Sequence, residues 1–284
     1  MTSEEDAAWQ LAREYFRVRK LAAAERTRLH NFWHRMLPEF FSVLKEPTGE
    51  TALAISAAMG PLSELATLSS RTWLARVRRA AQGTHILTSR AAALLPLLKD
   101  AHRDPVRRSG EGMPLRIRHA AERRRLLEAQ KAYLHEELVR RYSVRPEAVL
   151  LDSIPGSNAL YSALLLALVG DFHRFDDPRA IVKLAGSEVN HYASGEWKGT
   201  SRISHRGRSA LRAAAYQQAR QLVANNEDFR ARFHTLIHRT TRRPLTLKAA
   251  YVAVMNSYLR IAHGLVTREE LYQPLAQRQY AAAS

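Results

Sequence analysis

One polar stretch of the chain combines possible nucleophiles with closely spaced basic residues. Residues 191–216 read HYASGEWKGTSRISHRGRSALRAAAY, in which Ser194 is followed by Gly195. The basic side chains of this stretch are Lys198, Arg202, His205, Arg206, Arg208 and Arg212. A hydroxyl group in such a field suits attack on a phosphodiester, because cations offset the charge that builds on the phosphoryl oxygens. The stretch therefore predicts phosphate binding, phosphoryl transfer or both.

Two hydroxyl groups of this stretch are candidate nucleophiles. Ser194 is the first, and Tyr192 is the alternative, since tyrosine also forms covalent links to phosphodiesters. His191 or His205 could accept the proton. Acyl transfer is disfavoured, because no G-x-S-x-G elbow surrounds the serine and no Asp lies nearby to orient a histidine. Phosphoryl transfer needs no such triad, but residue types alone favour simple phosphate binding without chemistry.

A second motif precedes this stretch, at Pro155, Gly156, Ser157 and Asn158. With Ile154 before it and an apolar helix after it, the turn resembles a helix-hairpin-helix, which aims helix N-terminal amides at a phosphate. Asn158 stands where the usual hairpin has a second glycine, and Asn tolerates the left-handed conformation. We predict that the four residues contact DNA backbone, with a plain turn between packed helices as the alternative.

The composition indicates a polyanionic partner. The 284 residues include 44 Lys and Arg against 27 Asp and Glu, for a formal net charge of +17. Binding of nucleic acid by such a surplus is favourable because neutralised phosphates release counterions. The chain has no cysteine, which excludes disulfides, thiolate zinc sites and cysteine nucleophiles. No other metal site is predicted, because the pairs His30/His34 and His234/His238 lack the glutamate of H-E-x-x-H.

Nothing in the sequence predicts export or membrane insertion. The first residues, MTSEEDAAWQ, are acidic and lack the apolar core of a signal peptide. The longest apolar run, residues 159–169, is well below the ~20 residues that span a bilayer. We expect a cytoplasmic protein with no membrane partner.

Helical periodicity accounts for nearly the whole chain, so the predicted fold is all-α. Residues 6–36 carry an apolar seam that only Glu25 breaks, and residues 117–142 carry a second stripe. The seam consists of Leu11, Tyr15, Val18, Ala22, Leu29, Phe32 and Met36, and the stripe of Ala120, Leu127, Leu134 and Leu138. The two helices predict an antiparallel coiled coil, within one chain or between chains, with an ordinary bundle face as the alternative.

Local signals divide the rest of the chain. Helix caps are predicted at Ser69–Ser70 before residues 73–81, at Thr88 before residues 91–98, and at Asp176–Asp177 before Pro178. Residues 104–114 are rich in Pro, Gly and Arg and predict a linker. The last three predicted helices cover residues 209–224, 228–238 and 247–265.

Several short motifs, in this order, resemble the insertion-sequence transposases known as the IS one-ten family. In the first half they are Glu25-Arg26-Thr27-Arg28-Leu29-His30-Asn31 and Pro38-Glu39-Phe40-Phe41-Ser42-Val43. In the second half they are Ile154-Pro155-Gly156, Val169-Gly170-Asp171, Arg174-Phe175, Leu184-Ala185-Gly186, Tyr192-Ala193-Ser194-Gly195, Arg202-Ile203-Ser204-His205-Arg206-Gly207 and Leu211-Arg212-Ala213-Ala214-Ala215-Tyr216. No single motif decides the resemblance, but their common order carries it.

The resemblance implies a bridge-RNA-guided DNA recombinase. Ser194 matches the nucleophilic serine, which forms a covalent phosphoserine link to DNA, so that strands are rejoined without ATP. Contacts to the phosphate in the transition state would come from Lys198, Arg202, His205, Arg206 and Arg208. Partners would be DNA, a guide RNA and further copies of the chain through the coiled coil, in a bacterial, nucleoid-associated protein.

The chain also departs from the family pattern. The family's RNase-H-like domain, whose four acidic residues bind magnesium, has no counterpart in this sequence, so a truncated or split transposase without a cofactor of its own is expected. The usual A-G-L-x-P is Ala185-Gly186-Ser187-Glu188-Val189, and a Met-Arg-Lys-like segment is Met255-Asn256-Ser257. A non-catalytic DNA- or RNA-binding remnant and a purely structural oligomer are the alternative functions.

The expected domain organisation follows from these motifs. It comprises a first coiled-coil helix (1–37), a small helical insertion (38–104), a linker with the second coiled-coil helix (105–145), a serine transposase domain with a helix-hairpin-helix (146–270) and a flexible tail (271–284).

Overall fold

The computed structural model describes residues 3–108, 112–190, 202–240 and 243–274, and within them the fold is all-α, as predicted. The helices are α1 (Ser3–Met36), α2 (Phe40–Val43), α3 (Glu50–Ala57), α4 (Leu62–Thr67), α5 (Ser70–Ala80), α6 (Thr88–Arg103), α7 (Pro105–Arg108), α8 (Gly112–Ser143), α9 (Pro146–Asp152), α10 (Ala159–Val169), α11 (Pro178–Leu184), α12 (Ser209–Asn225), α13 (Glu227–His238) and α14 (Leu247–Arg268). Two short strands, β1 (Val189–Asn190) and β2 (Arg202–Ile203), pair antiparallel. No helix of the described ranges is both long and apolar enough to cross a membrane.

The chain divides into two compact units. We call residues 17–132 the central unit, and residues 1–16 with 133–284 the terminal unit. Helices α1 and α8 are long enough that each contributes residues to both units.

The central unit has a core of apolar side chains around two buried tryptophans. Trp33 Nε1 donates to Ser56 Oγ at 2.9 Å, and Trp73 Nε1 donates to the carbonyl of Ala91 at 2.7 Å. Both indoles are fully buried, so each ring nitrogen needs such an acceptor, because an unpaired buried donor is costly. The two hydrogen bonds therefore fix α1 and α5 against α3 and α6.

Helices α1 and α8 run antiparallel within the central unit. Arg124 donates to the carbonyl of Ala22 at 2.5 Å, Arg123 donates to Glu25 at 3.2 Å, and Arg116 lies 4.5 Å from the ring centre of Phe32. Later positions of α1 contact earlier positions of α8, as in an antiparallel pair. That the pair forms a heptad coiled coil stays a prediction.

The predicted seam of α1 needs correction at three positions. Trp33 rather than Phe32 is buried, and Ala12 rather than Leu11. Toward the end of α1 the shift has a simple reason, because a helix of 3.6 residues per turn drifts forward against a strict 3.5-residue repeat and so buries Trp33 in place of Phe32. Glu25 does not break the seam, because it is buried and forms ion pairs with Arg28 and Arg123.

The terminal unit is built around α10. This helix is buried on nearly every side, as expected for a segment that is apolar all round. Helices α9 and α12 pack against α10, and α14 packs against α9, α11, α12 and α13. The last three helices confirm the predicted ones to within three residues at either end.

The predicted helix caps have different outcomes. Asp177 caps α11, and Ser69 caps α5 by accepting from the amide of Thr72. Thr88 is not a cap but the first residue of α6, and Leu87 stands at the cap position, where no side chain accepts from the helix amides. The amide of Leu87 itself donates to Thr51 Oγ1 at 3.0 Å.

Two predicted irregular segments are more ordered than expected. The predicted linker contains the helical turn α7, and α8 already begins at Gly112, with Pro114 in its first turn, where proline is tolerated. Tyr272, in the predicted tail, donates from its hydroxyl to Asp228 at 2.6 Å and from its amide to Ser153 Oγ at 2.8 Å. The rest of the predicted tail, residues 275–284, lies outside the described residues.

Candidate nucleic-acid interface

A short antiparallel hairpin carries the chain into and out of the predicted nucleophile segment. Val189 of β1 lies opposite Ile203 of β2. The pairing continues beyond the strands, since the amides of Ser204, His205 and Arg208 donate to the carbonyls of Glu188, Gly186 and Leu184 at 2.9, 3.0 and 2.7 Å. We call residues 184–190 and 202–208 the hairpin base. It fixes both ends of the segment 191–201 in one register.

Two glycines allow the hairpin base to close. Gly186 has a φ of +65°, and a Cβ at Gly207 would collide with the amide nitrogen of Gly186 and the carbonyl oxygen of Leu184. His205 between the strands and α12 has a φ of 54°, a left-handed conformation that is uncommon outside glycine but less so for histidine. The Gly186–Gly207 contact is therefore a tight one that any larger side chain would open.

A side-chain pair ties the hairpin base to α14. The hydroxyl of Ser187 donates to Asn256 Oδ1 at 2.6 Å, and Asn256 Nδ2 donates back to the carbonyl of Ser187 at 3.0 Å. Ser187 is fully buried. The two residues are positions at which the sequence departs from the family pattern, and sequence reasoning missed that they meet, because they lie 69 residues apart.

Three arginines near the hairpin base bind carbonyls at helix ends. Arg174 donates to Val169 at 2.9 Å, Arg208 donates to Leu168, and Arg212 donates to Ala185 at 2.8 Å. Carbonyls in the last turn of a helix have no partner within it and attract cations. Burial lowers the pKa of the Arg208 guanidinium, and the charge of Arg174 lowers it further. Arg208 thus has an intrachain partner, and its contact to phosphate stays a prediction.

The other predicted phosphate contacts differ in their surroundings. His205 and Arg206 are exposed beside the hairpin base. The backbone of Arg202 pairs in β2. Ser194, Tyr192 and Lys198, together with His191, lie in residues 191–201, which join β1 to β2 and fall outside the described residues.

The predicted hairpin turn lies between α9 and α10 and packs against the end of α12. Gly156 has a φ of +80°, and a Cβ there would lie 2.7 Å from the Cβ of Asn225. Asn226 Nδ2 donates to the carbonyl of Pro155 at 2.9 Å, and the amide of Asn158 donates to Gln218 Oε1 at 3.3 Å. Gln218 is fully buried on α12. A polar residue within an apolar stripe is the sequence signal that could have indicated this contact with the turn.

Asn158 is not left-handed, contrary to the expectation for the second position of the hairpin. It is extended, with φ −120°, and its side chain caps α10 by accepting from the amides of Leu160 and Tyr161 at 3.1 and 3.4 Å. Asn is a preferred N-cap residue because its side-chain oxygen satisfies these otherwise unpaired amides. The turn amides therefore have intrachain acceptors, and contact of residues 155–158 with DNA backbone stays a prediction.

Metal ligands are not grouped in the described part of the chain. No three or more His, Asp or Glu side chains there come together in a way that could hold an ion. His234 and His238 stack on each other with ring centres 6.0 Å apart and are exposed. The magnesium that the family resemblance implies would be bound by four acidic residues of the RNase-H-like domain, and the described part of the chain offers no such group of acidic side chains.

Comparison with known proteins bears on the terminal unit. Residues 148–234 match the family described as Transposase IS116/IS110/IS902 family. The match includes the turn at Gly156, the hairpin base and the segment with Ser194. No curated protein matches the chain. This family is the one named above as IS one-ten, and the match over residues 148–234 supports a transposase of this family.

Proposed function

We propose that the chain acts in DNA transposition by attacking a DNA phosphodiester with the hydroxyl of Ser194. The Oγ–P bond forms as the bond from phosphorus to the leaving deoxyribose oxygen breaks, and the leaving oxygen takes up a proton. The serine proton passes to a base, for which His191 and His205 are the candidates. Because the phosphoserine link keeps the energy of the phosphodiester, the reverse attack by a deoxyribose hydroxyl joins strands without another energy source.

The observation that carries this proposal is the hairpin base within the family match. Phosphoryl transfer depends on holding the nucleophile in line with the bond that breaks. The pairing of residues 184–190 with 202–208, closed by Gly186 and Gly207, fixes both ends of the segment that bears Ser194. Anchoring of the residues on both sides suits a nucleophile that must meet a phosphate at a set position.

In the proposed reaction, basic side chains of the hairpin base and of the neighbouring sequence stabilise the negative charge of the transition state. Arg206 and His205 are exposed there, and Arg202 and Lys198 belong to the same stretch of sequence. Arg208 would add a contact only by leaving the carbonyl of Leu168. The turn at Pro155, Gly156, Ser157 and Asn158 would hold DNA backbone farther from the reacting phosphate.

The proposal extends to the assembly. Residues 1–37 and 105–145 would form a coiled coil that joins copies of the chain, residues 38–104 would be a helical insertion, and residues 146–270 the transposase domain. A guide RNA would select the target through base pairing, so that the protein itself contacts DNA mainly through phosphates.

A covalent-adduct assay tests the proposed chemistry. The full chain is incubated with labelled supercoiled and branched DNA, denatured in SDS and separated by electrophoresis. We expect an SDS-resistant adduct for the wild type and for Tyr192→Phe, and none for Ser194→Ala. Equal DNA affinity of all three proteins without any adduct would instead indicate the non-catalytic binding protein.

A further inference from the structure

Three exposed arginines of the terminal unit converge from three helices. They are Arg179 of α11, Arg232 of α13 and Arg260 of α14, and we call them the arginine patch. Helices α11 and α13 both pack against α14, and the charges of Arg179 and Arg232 both act on the guanidinium of Arg260. None of the three belongs to the sequence stretch that predicts phosphate chemistry.

The packing around α14 brings the three charges close together. Arg232 lines a cavity with Ser257 and Ile261, two residues that flank Arg260 on its helix. Burial lowers the pKa of the Arg260 guanidinium, and the charges of Arg232 and Arg179 lower it further. Like charges in this arrangement repel one another, so the patch favours an anion that lies between them.

The carboxylate that lines the cavity beside Arg232 has a partner of its own. Asp228 lines the same cavity as Arg232, but it accepts the hydroxyl proton of Tyr272 at 2.6 Å. Within the described part of the terminal unit, the ion pairs given by the structure join Arg140 and Arg141 to Glu137 and Arg145 to Glu147. None of these arginines belongs to the patch.

The patch is connected to the hairpin base through α14. Arg260 Nε donates to the carbonyl of Asn256 at 3.2 Å, and Asn256 holds Ser187 at the hairpin base. Arg260 follows Asn256 by one helical turn, about 5.4 Å along the axis. Arg260 therefore lies one helical turn from the residue of α14 that contacts the hairpin base.

We propose that the arginine patch binds the phosphate backbone of the DNA duplex that Ser194 attacks. Arginine suits this task because its guanidinium donates two parallel hydrogen bonds to phosphate oxygens. The contact carries no base readout, so it positions the duplex without selecting its sequence. This inference rests on the proposed function, because the duplex is taken to be the substrate of the serine.

The test compares two double variants of the full chain with equal loss of charge. Arg232→Gln/Arg260→Gln removes two patch charges, and Arg220→Gln/Arg268→Gln removes two other exposed charges of the terminal unit. Affinity for a short DNA duplex is measured over a range of salt concentrations. The slope of log affinity against log salt is negative, and each lost phosphate contact reduces its magnitude by about 0.9. The magnitude should therefore fall by about 2 in the patch variant and by less than half of that in the control. Unchanged circular dichroism and melting temperature show that both variants are folded.

Each outcome decides one of the two proposals. Equal slopes for patch and control variants, with the Ser194 adduct still formed by the wild type, would overturn the patch and leave the proposed function in place. Patch-dependent binding without an adduct would keep the DNA contact and refute the serine chemistry. A patch variant that loses affinity for an RNA duplex of equal length but not for DNA would overturn the DNA assignment, and a wild type that binds no DNA would overturn both.

Discussion

Gly207 is the position of the hairpin base with the least room for a side chain. A methyl group there would collide with the amide nitrogen of Gly186 and the carbonyl of Leu184. We expect Gly207→Ala to lower the free energy of unfolding by about 1–3 kcal/mol, as overpacking of a tight contact does, and to abolish the DNA adduct. Gly264→Ala is the matched control, because a Cβ there meets nothing within 4 Å and alanine favours a helix. Urea unfolding and the adduct assay measure both, and equal stability of the two variants would contradict the geometry.

Asn256 is the residue that holds the hairpin base from α14. Asn256→Ala removes both hydrogen bonds to Ser187 and leaves a fully buried hydroxyl with one weaker acceptor, the carbonyl of Val182 at 3.3 Å. Loss of a partner for a buried polar group costs about 1–3 kcal/mol, and we expect a loss in this range together with slower adduct formation. Asn225→Ala is the control, since the exposed Asn225 amide donates only within its own helix. Wild-type adduct kinetics for Asn256→Ala would show that the contact does not position the serine.

A substitution of Asn158, at the start of α10, distinguishes a capping role of this residue from a contact with DNA. Aspartate caps helices as well as asparagine does, so Asn158→Asp should leave the free energy of unfolding within about 0.5 kcal/mol of the wild type. The new negative charge should weaken duplex binding if the turn lies against phosphate. Asp177→Asn, at the cap of α11, is the reciprocal control, because it removes a negative charge from the same type of position. Unchanged DNA affinity for Asn158→Asp would argue that the turn serves only to join α9 and α10.

Helices were more predictable from sequence than their contacts. The 3.6-residue period predicts α12, α13 and α14, and Asp177 before Pro178 predicts the start of α11, because these signals are local. Asn158, directly before the apolar residues of α10, carries the same kind of local signal and does cap the helix. Comparison of this position with a hairpin glycine led instead to the expectation of a left-handed residue. The Ser187–Asn256 pair could not be predicted, since its partners lie 69 residues apart and meet only when α11 packs against α14.

Some arginines of the central unit form exposed ion pairs, and they serve to test where DNA binds. Arg26 and Arg103 of the central unit form exposed ion pairs with Glu46 and Asp100. Exposed pairs of this type add little stability, so Arg26→Gln/Arg103→Gln should fold normally. It should also change the salt slope of duplex binding by less than about 1, because each lost arginine leaves a carboxylate behind and neither arginine is expected to contact phosphate. A drop as large as that of the patch variant would show that DNA also lies on the central unit.

The identity of the residue that carries the DNA adduct tests the whole interpretation most directly. The adduct formed by the full chain is digested with nuclease and protease, and mass spectrometry locates the residual nucleotide on the peptide that spans residues 191–201. We predict that the nucleotide is linked to Ser194 and that the link is absent from Ser194→Ala. A nucleotide on Tyr192, or on any residue outside this segment, would contradict a serine nucleophile held by the hairpin base.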